Sequence, residues 1–246
     1  RYGDLAKRCM IRTIINSIEG TRGLSMLGEK LGRQLEVLIE LDGGIGRCGI
    51  KPMEPALRFA QKAAKLPGIR IVGLLYYGGG IYDLHSEEEF IQATGKERDE
   101  IVGTANLLKS HNFDISILSG GSSFSAKWPE HLKGLTEVRA GNYIFNDVHQ
   151  LNVGLIQPED CAMRVVSTVV TIPDEYTAVI DAGSKTLTSD TVAGAPGFGY
   201  IIGREDIVIY KLNEEHGYLR SDKPIGLHVG DRVVIIPNHA CVIPNL

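Results

Sequence analysis

Val37-Leu38-Ile39-Glu40-Leu41-Asp42-Gly43-Gly44-Ile45-Gly46-Arg47-Cys48-Gly49 decides the fold class. A near-continuous apolar, β-branched run ends abruptly in a glycine-rich polar loop, and Pro52 and Pro55 then open an amphipathic stretch. A strand that is apolar along its whole length suits a position covered on both faces, as in a parallel sheet flanked by helices. Working outward, the same texture recurs at residues 10–15, 69–75, 115–118 and, more weakly, 137–145. Helix-length amphipathic segments at 18–32, 55–66 and 87–109 separate these runs. Strand and helix alternating in this way predict βα units building a parallel sheet.

After about residue 155 the texture changes. Residues 164–172, 176–180, 206–212 and 232–236 are short, rich in Val and Ile, and punctuated by Pro and Gly, with no helical period between them. This predicts a mostly antiparallel β domain. Gln157-Pro158-Glu159-Asp160 is the expected junction, giving domains 1–155 and 156–246. The first domain yields about five βα units: enough for an open doubly wound sheet, three short of a (β/α)8 barrel.

Composition narrows the function classes. The chain has 246 residues, 43% hydrophobic and 23% charged, with a net charge of −4 and no basic run. It therefore carries no electrostatic footprint for nucleic acid or an anionic membrane, and no apolar stretch is long enough for a membrane span. Four scattered cysteines (Cys9, Cys48, Cys161, Cys241) do not make a disulfide scaffold, so a cytoplasmic location is expected. The 29 glycines, concentrated in loops, suggest close backbone approach to a ligand. The absence of an initiator Met is a hint that the gene begins upstream of Arg1.

Three motifs carry the chemistry. Gly44-Ile45-Gly46-Arg47-Cys48-Gly49 matches G-x-G-x-x-G, but the prolines postpone the helix and the next strand ends in Leu74-Leu75-Tyr76-Tyr77. With no helix N-terminus for a pyrophosphate and no acidic residue for a ribose, a ligand loop holding Arg47 is preferred to a dinucleotide site. Ser119-Gly120-Gly121-Ser122-Ser123 follows a strand and offers backbone N–H groups and hydroxyls suited to a phosphate; the plain alternative is a flexible loop. His239 and Cys241 in Pro237-Asn238-His239-Ala240-Cys241 point to one side if the chain is extended, and could share a metal ion. The alternative is a buried Cys beside a hydrogen-bonded His. Asp181-Ala182-Gly183-Ser184-Lys185 and Glu214-Glu215-His216-Gly217 are polar knots that each read first as a charged turn. His85, His111, His131, His149 and His228 lack partner spacing, and Trp128 reads as a packing residue.

Taken in order, these segments, together with Glu137-Val138-Arg139-Ala140-Gly141-Asn142-Tyr143, resemble the D-threonine aldolase and D-serine dehydratase family of pyridoxal-phosphate (PLP) enzymes. The resemblance implies an α/β fold: a PLP-binding TIM-type (β/α)8 barrel, its N-terminal units missing from this chain, followed by an antiparallel β domain. It implies a homodimer paired head to tail. Gly120, Gly121 and Ser122 would cradle the cofactor phosphate, Arg47 would lie beside the cofactor ring, and Tyr77 would contact the cofactor. His239 and Cys241 would bind a divalent metal, Zn or Mn/Mg, with the thiolate favouring zinc. Where family members often carry a His after Tyr-x-Gly, this sequence has Gly80. The family's cofactor-linking lysine lies in a segment resembling Arg-Pro-His-x-Lys, which does not occur here, so neither Lys51, Lys185 nor any other lysine is assigned a catalytic role.

The activity this resemblance implies is cleavage of small-molecule D-β-hydroxy-α-amino acids. Retro-aldol cleavage to glycine and an aldehyde (D-threonine aldolase type) stands first by a narrow margin. β-Elimination to a keto acid and ammonia (D-serine dehydratase type) stands second, and the His-x-Cys pair leans toward it. A non-catalytic PLP carrier would lack the β domain and the His-x-Cys pair. An amino-acid racemase would need a tyrosine in the β domain and no metal.

Overall fold

The computed structural model describes residues 2–84 and 86–246, with the side chains of Tyr82 and Asp83 outside that set; His85, read above as a surface or core histidine, lies outside the described residues. The chain divides into two compact units, Arg1–Ala140 and Gly141–Leu246.

In the first unit, short helix α1 (Tyr2–Ala6) precedes β1 (Thr13–Ile15), α2 (Ile18–Lys30), β2 (Leu35–Asp42), α3 (Glu54–Ala63), β3 (Ile69–Tyr77), α4 (Glu87–Ser110), β4 (Ile117–Gly120) and β5 (Glu137–Val138). All neighbouring strands are parallel, in the order β1-β2-β3-β4-β5. Helix starts follow local chemistry. Ser17 caps α2 by accepting from Gly20 N, and Ser86 forms a reciprocal capping box with Glu89 on α4. Pro55 sits in the first turn of α3, where a missing N–H costs nothing.

The doubly covered strand reading holds. Val37, Ile39, Leu41, Leu74, Tyr76 and Leu118 pack into one core with Phe59 and Ala60 of α3 and with Ile101, Ala105 and Leu108 of α4. The opposite face carries a smaller cluster of Leu38, Val72 and Leu75 with Ile117. Polar groups share that face: Glu40 accepts from Asn16 Nδ2 at 2.8 Å, and Glu36 pairs with Arg12 and Arg70. The weak run at 137–145 proves to be a two-residue strand followed by a turn at Asn142–Ile144.

The second unit holds α5 (Val148–Asn152), β6 (Val165–Asp174), β7 (Thr177–Ile180), α6 (Ser184–Leu187), β8 (Tyr200–Ile201), β9 (Ile207–Leu212), β10 (Gly217–Ser221) and β11 (Arg232–Ile236). Its six-stranded sheet is antiparallel, ordered β8-β11-β6-β7-β10-β9. Val169, Ile180, Leu187, Ile201, Ile209, Leu219 and Ile235 form its buried core. The sequence places a junction at 155/156, whereas the compact units meet after Ala140. The intervening residues pack on the β unit: Val148 and Ile156 cluster with Ile236, and Val148 N donates to Pro237 O at 3.2 Å.

The two polar knots form one structure. Lys185 pairs with Glu214 at 3.0 Å and Glu215 at 2.8 Å, and the Ser184 N–H donates to Asn213 O. Gly183 permits the approach, since a Cβ there would lie 2.4 Å from Asn213 O.

Candidate functional site

Active sites on parallel sheets gather at the carboxyl ends of the strands, where loops leave a rigid support. The expected cofactor-contacting residues of the first unit lie along this edge. Register pairs Asp42 of β2 with Tyr77 of β3, and Leu75 of β3 with Ser119 of β4.

The loop leaving β2 is an excursion closed on its own strand: Ile50 N donates to Glu40 O at 2.8 Å, and Asp42 N donates to Ile50 O at 2.9 Å. Closure needs a glycine at position 49, where φ is +106° and a Cβ would lie 2.5 Å from Asp42 N. Helix α3 starts only at Glu54, beyond the last glycine, which removes the helix N-terminus that a dinucleotide loop needs. The loop instead folds over the end of β3. The Arg47 guanidinium carbon stands 5.2 Å from the centroid of the Tyr77 ring, a cation–π geometry. These two side chains, assigned separately in the sequence, are neighbours.

Beyond β4, Ser119, Gly120, Gly121 and Ser122 are all buried. The turn is tight: Ser122 N donates to Ser125 Oγ at 2.7 Å, and the amides of Phe124 and Ser125 converge on Ser122 Oγ. Gly121 has φ +76°, and a Cβ there would meet Ser125 Oγ at 3.2 Å. Arg139 donates through Nε to Ser119 Oγ at 2.9 Å, placing a permanent positive charge on the loop. The amides of Gly121, Ser122, Phe124 and Ser125 are met by Glu97, Ser125 and Ser122, so what suits a phosphate here is the close backbone approach the glycines allow and the Arg139 guanidinium.

Helix α4 holds this loop in two ways. Phe90 stacks on Phe124 with centroids 5.2 Å apart, and Glu97 Oε1 accepts from Gly121 N at 2.7 Å. Glu97 is 3% exposed and its Oε2 has no hydrogen-bond partner among the described residues. Burial pushes its carboxyl up to about 7, the Gly121 N–H only partly opposing the shift. Glu97 lines a cavity of about 170 Å³ with Gly43, Tyr76, Gly78, Gly80 and Ile81. A Cβ at Gly80 would meet nothing within 4 Å, so sterics do not demand glycine there.

In the second unit, the chain is not extended through His239 and Cys241. β11 ends at Ile236 and the backbone turns, with Val242 N donating to His239 O at 3.4 Å. The alternation argument for a shared face therefore does not apply. His239 Nδ1 lies 2.7 Å from Asp190 Oδ2 and its ring is edge-on to His149, with centroids 5.9 Å apart. A carboxylate on Nδ1 leaves Nε2 as the donor for a metal. Asp147, fully buried, accepts from Ala240 N at 2.9 Å, Asn142 Nδ2 at 2.7 Å and His149 N at 3.2 Å. Partial burial pushes the Cys241 thiol up, with the charge of Asp147 adding to it. Buried Asn142 Oδ1 and Asn238 Oδ1 have no partner among the described residues. An imidazole and a thiol beside unsatisfied buried polar atoms fit a soft-metal donor set supplied partly by other groups. Among the described residues no three His, Cys, Asp or Glu side chains converge to hold a metal.

Sequence reasoning passed over Glu97, Arg139, Asp147 and Asp190. Glu97 had a readable signal: it interrupts the apolar stripe Phe90, Thr94, Ile101, Ala105, Leu108 of an amphipathic helix. Asp147 had one too, as an N-cap immediately before α5.

The "Alanine racemase, N-terminal domain" family matches residues 2–148, over half of the chain. This chain belongs to that family. Residues 162–246 of this alanine-racemase-family chain match a second description, "Putative serine dehydratase domain". Among relatives, D-threo-3-hydroxyaspartate dehydratase of Delftia sp. (strain HT23) is 31% identical over 95% of the chain and 66% of its own length. D-threonine aldolase of Arthrobacter sp. is 27% identical over 99% of the chain and 64% of its own. The chain thus spans slightly under two thirds of these relatives. A solved structure of the dehydratase, of a His→Ala variant, superposes with TM-score 0.88 at 28% identity, covering 97% of this chain and 66% of that one. A second, of a variant with Cys→Ala two positions further on, is described as the metal-free form (TM-score 0.86, 28% identity, 96% and 68% coverage). The family match agrees with the fold and the resemblance expected from sequence. No helix among the described residues is long and apolar enough to cross a membrane.

Proposed function

We propose that this chain is part of a PLP- and divalent-metal-dependent lyase acting on D-3-hydroxy-α-amino acids. The observation that carries the proposal is the carboxyl edge of the parallel sheet, where Arg47 packs over Tyr77 and a buried glycine cradle ends β4. In this reading Gly120, Gly121 and Ser122 hold the cofactor phosphate, Arg47 and Tyr77 flank its ring, and His239 and Cys241 ligate the metal. When bound, these groups supply an electron sink at the substrate α-carbon and a Lewis acid for its β-hydroxyl.

The residues divide the remaining work. Arg47 keeps a permanent positive charge against the Tyr77 face. Arg139 adds a second cation at Ser119, favouring a dianionic group at the loop. Asp190 fixes the His239 ring so that Nε2 faces outward from the pair. Asp147 ties the His239 turn to α5 through the Ala240 amide.

The motif reading places retro-aldol cleavage first. The thiol donor at Cys241, together with 31% identity to a dehydratase, shifts the balance to β-elimination. Retro-aldol cleavage is the second reading. The thiol donor further favours zinc, the four free cysteines a reducing cytoplasm, and the family arrangement a homodimer.

The test uses the full-length protein with D-threonine, D-serine and D-3-hydroxyaspartate, with and without EDTA, assaying keto acid, ammonia, glycine and aldehyde. Keto acid with ammonia, lost on chelation, supports elimination; glycine with aldehyde supports the second reading. Turnover unaffected by EDTA would overturn the metal assignment, and racemised substrate without cleavage would overturn the lyase assignment.

A further inference from the structure

Helix α4 presents a carboxyl group to the phosphate cradle, which is an unusual neighbour for an anion site. Glu97 reaches the cradle from the core side, 3% exposed, with Oε1 accepting from Gly121 N at 2.7 Å. Its second oxygen is buried without a partner among the described residues, and the side of Glu97 away from the loop lines the 170 Å³ cavity shared with Gly43, Tyr76 and Gly80. A Cβ placed on Gly78 would lie 3.1 Å from that oxygen, so β3 and α4 together confine the group. The Phe90–Phe124 stack holds the loop two turns further along the same face of α4.

Either protonation state of Glu97 can accept from Gly121 N through Oε1. Only the neutral acid does so without setting a buried negative charge against an arriving phosphate, because like charges in a poorly solvated site repel strongly. We propose that Glu97 is a proton-linked positioning residue for the phosphate cradle, holding Gly121 in place while neutral and opposing the anion when ionised. This rests on the reading of Gly120, Gly121 and Ser122 as the phosphate site.

Other charges around Glu97 do not take over this role. Among the described residues, β3 contributes Tyr76, whose hydroxyl donates to Glu100 Oε2 at 2.6 Å and which burial pushes further from ionisation. The end of β2 contributes Asp42, which together with Glu97 and Glu100 acts on Tyr76. The turn at Pro129–Leu132 contributes His131, bonded to Thr94 Oγ1 at 2.6 Å, and Glu130. From the far side of the loop comes Arg139, and on α4 itself Lys96 and Glu100 pair at 3.8 Å. Of these groups only Glu97 touches the cradle backbone with a carboxylate. With its carboxyl pushed up to about 7, the switch falls inside the range where enzymes of this kind can be assayed.

Glu97→Gln keeps the Oε1 acceptor and removes the charge, so it is the reference for the experiment. The probe is pyridoxine 5′-phosphate, which has the phosphate but no aldehyde to react with a lysine. Its dissociation constant is measured by calorimetry on full-length wild type and E97Q at about pH 6 and about pH 8. Taking the ratio of the two proteins cancels the titration of the probe and of every other group. If only neutral Glu97 admits the anion, wild-type Kd scales as 1 + 10^(pH − 7), and the wild-type/E97Q ratio rises about tenfold over this range. A ratio that stays flat overturns the inference while leaving the phosphate site standing. Binding no tighter than that of unphosphorylated pyridoxine at either pH overturns the phosphate site, and the inference with it. Should E97Q fail to fold, proton uptake by wild type decides. Titrations at about pH 8 in two buffers of different ionisation enthalpy, with unphosphorylated pyridoxine as the control for the ring's own titration, should show close to one more proton taken up for the phosphorylated probe, and no difference if Glu97 stays ionised.

Discussion

Replacing Asp147 should separate the two contributions that hold the His239 turn. The carboxylate is fully buried and accepts three donors, two of them (Ala240 N and Asn142 Nδ2) on Oδ2 and one (His149 N) on Oδ1. Asp147→Ala strands the buried Ala240 amide, at roughly 1–3 kcal/mol for an unsatisfied donor. It also removes the N-cap of α5, worth about 1 kcal/mol, and the Asn142 bond, worth about 1 kcal/mol more. The expected loss is therefore about 3–5 kcal/mol. Asp147→Asn can turn its remaining oxygen toward the two donors and lose only the bond to His149 N, costing about 1–2 kcal/mol. Chemical denaturation of the full-length protein measures both. Metal content after dialysis against a graded chelator should follow the same order, because the turn carries His239 and Cys241; a support of this kind is typically worth about 10–100-fold in metal affinity. Equal losses in the two variants would refute the reasoning, since charge rather than the paired donors would then hold the turn. A loss below about 1 kcal/mol in Asp147→Ala would refute it outright.

Three further outcomes follow from the first unit. Gly43→Ala would set a Cβ 1.9 Å from Tyr77 O, so the ends of β2 and β3 must part; a loss of about 2–3 kcal/mol and weakened pyridoxal-phosphate binding are expected from urea melts and absorbance titration. Gly80→His, by contrast, points into open space and should leave stability within about 0.5 kcal/mol of wild type, while its effect on turnover reports whether the cavity side wants an imidazole. Glu97 ionises at 4.5 when unfolded and at about 7 when folded, so the native state binds the extra proton and stability falls as pH rises between those values. At about 1.4 kcal/mol per unit, wild type should lose about 3 kcal/mol relative to E97Q between pH 4 and pH 8; a difference that grows in the other direction would contradict the buried acid.

The parallel unit was legible because its strands are covered on both faces. Runs such as β2 and β3 are apolar on the helix side, and their few charged residues (Glu36, Glu40, Arg70) leave the segments Val37–Ile39 and Ile71–Tyr77 long enough to read. Where cover is thin the signal fades, as at β5, whose two residues are both exposed. In the β unit, β10 went unread because Gly217–Ser221 alternates buried and exposed positions across only five residues, and the charged turn before it dominates the local composition. The compact units part at Ala140 rather than at the composition change near residue 155 for a related reason. Residues 141–160 hold only short helical turns, and what assigns them to the β unit is their contact with Ile236 and Pro237, about eighty to ninety residues away in sequence. No local pattern encodes such a contact.

The residues of the candidate site divide along the same line. Arg47, Tyr77, Ser122, His239 and Cys241 all follow directly from the ends of buried strands, where a change in composition marks the loop and the residue types name the chemistry. Glu97, Asp147 and Asp190 act on those loops from other elements, and their partners lie 24, 93 and 49 positions away. Their role exists only once the strands have fixed the loops in space. Such residues nonetheless leave one physical trace: a charge placed where solvent cannot reach it must be neutralised, bonded or shifted. A carboxyl inside the apolar stripe of α4 is desolvated at a cost that its one bond to Gly121 N only partly opposes. Its retention against that cost is what makes Glu97 worth testing as part of the cofactor site rather than of the core.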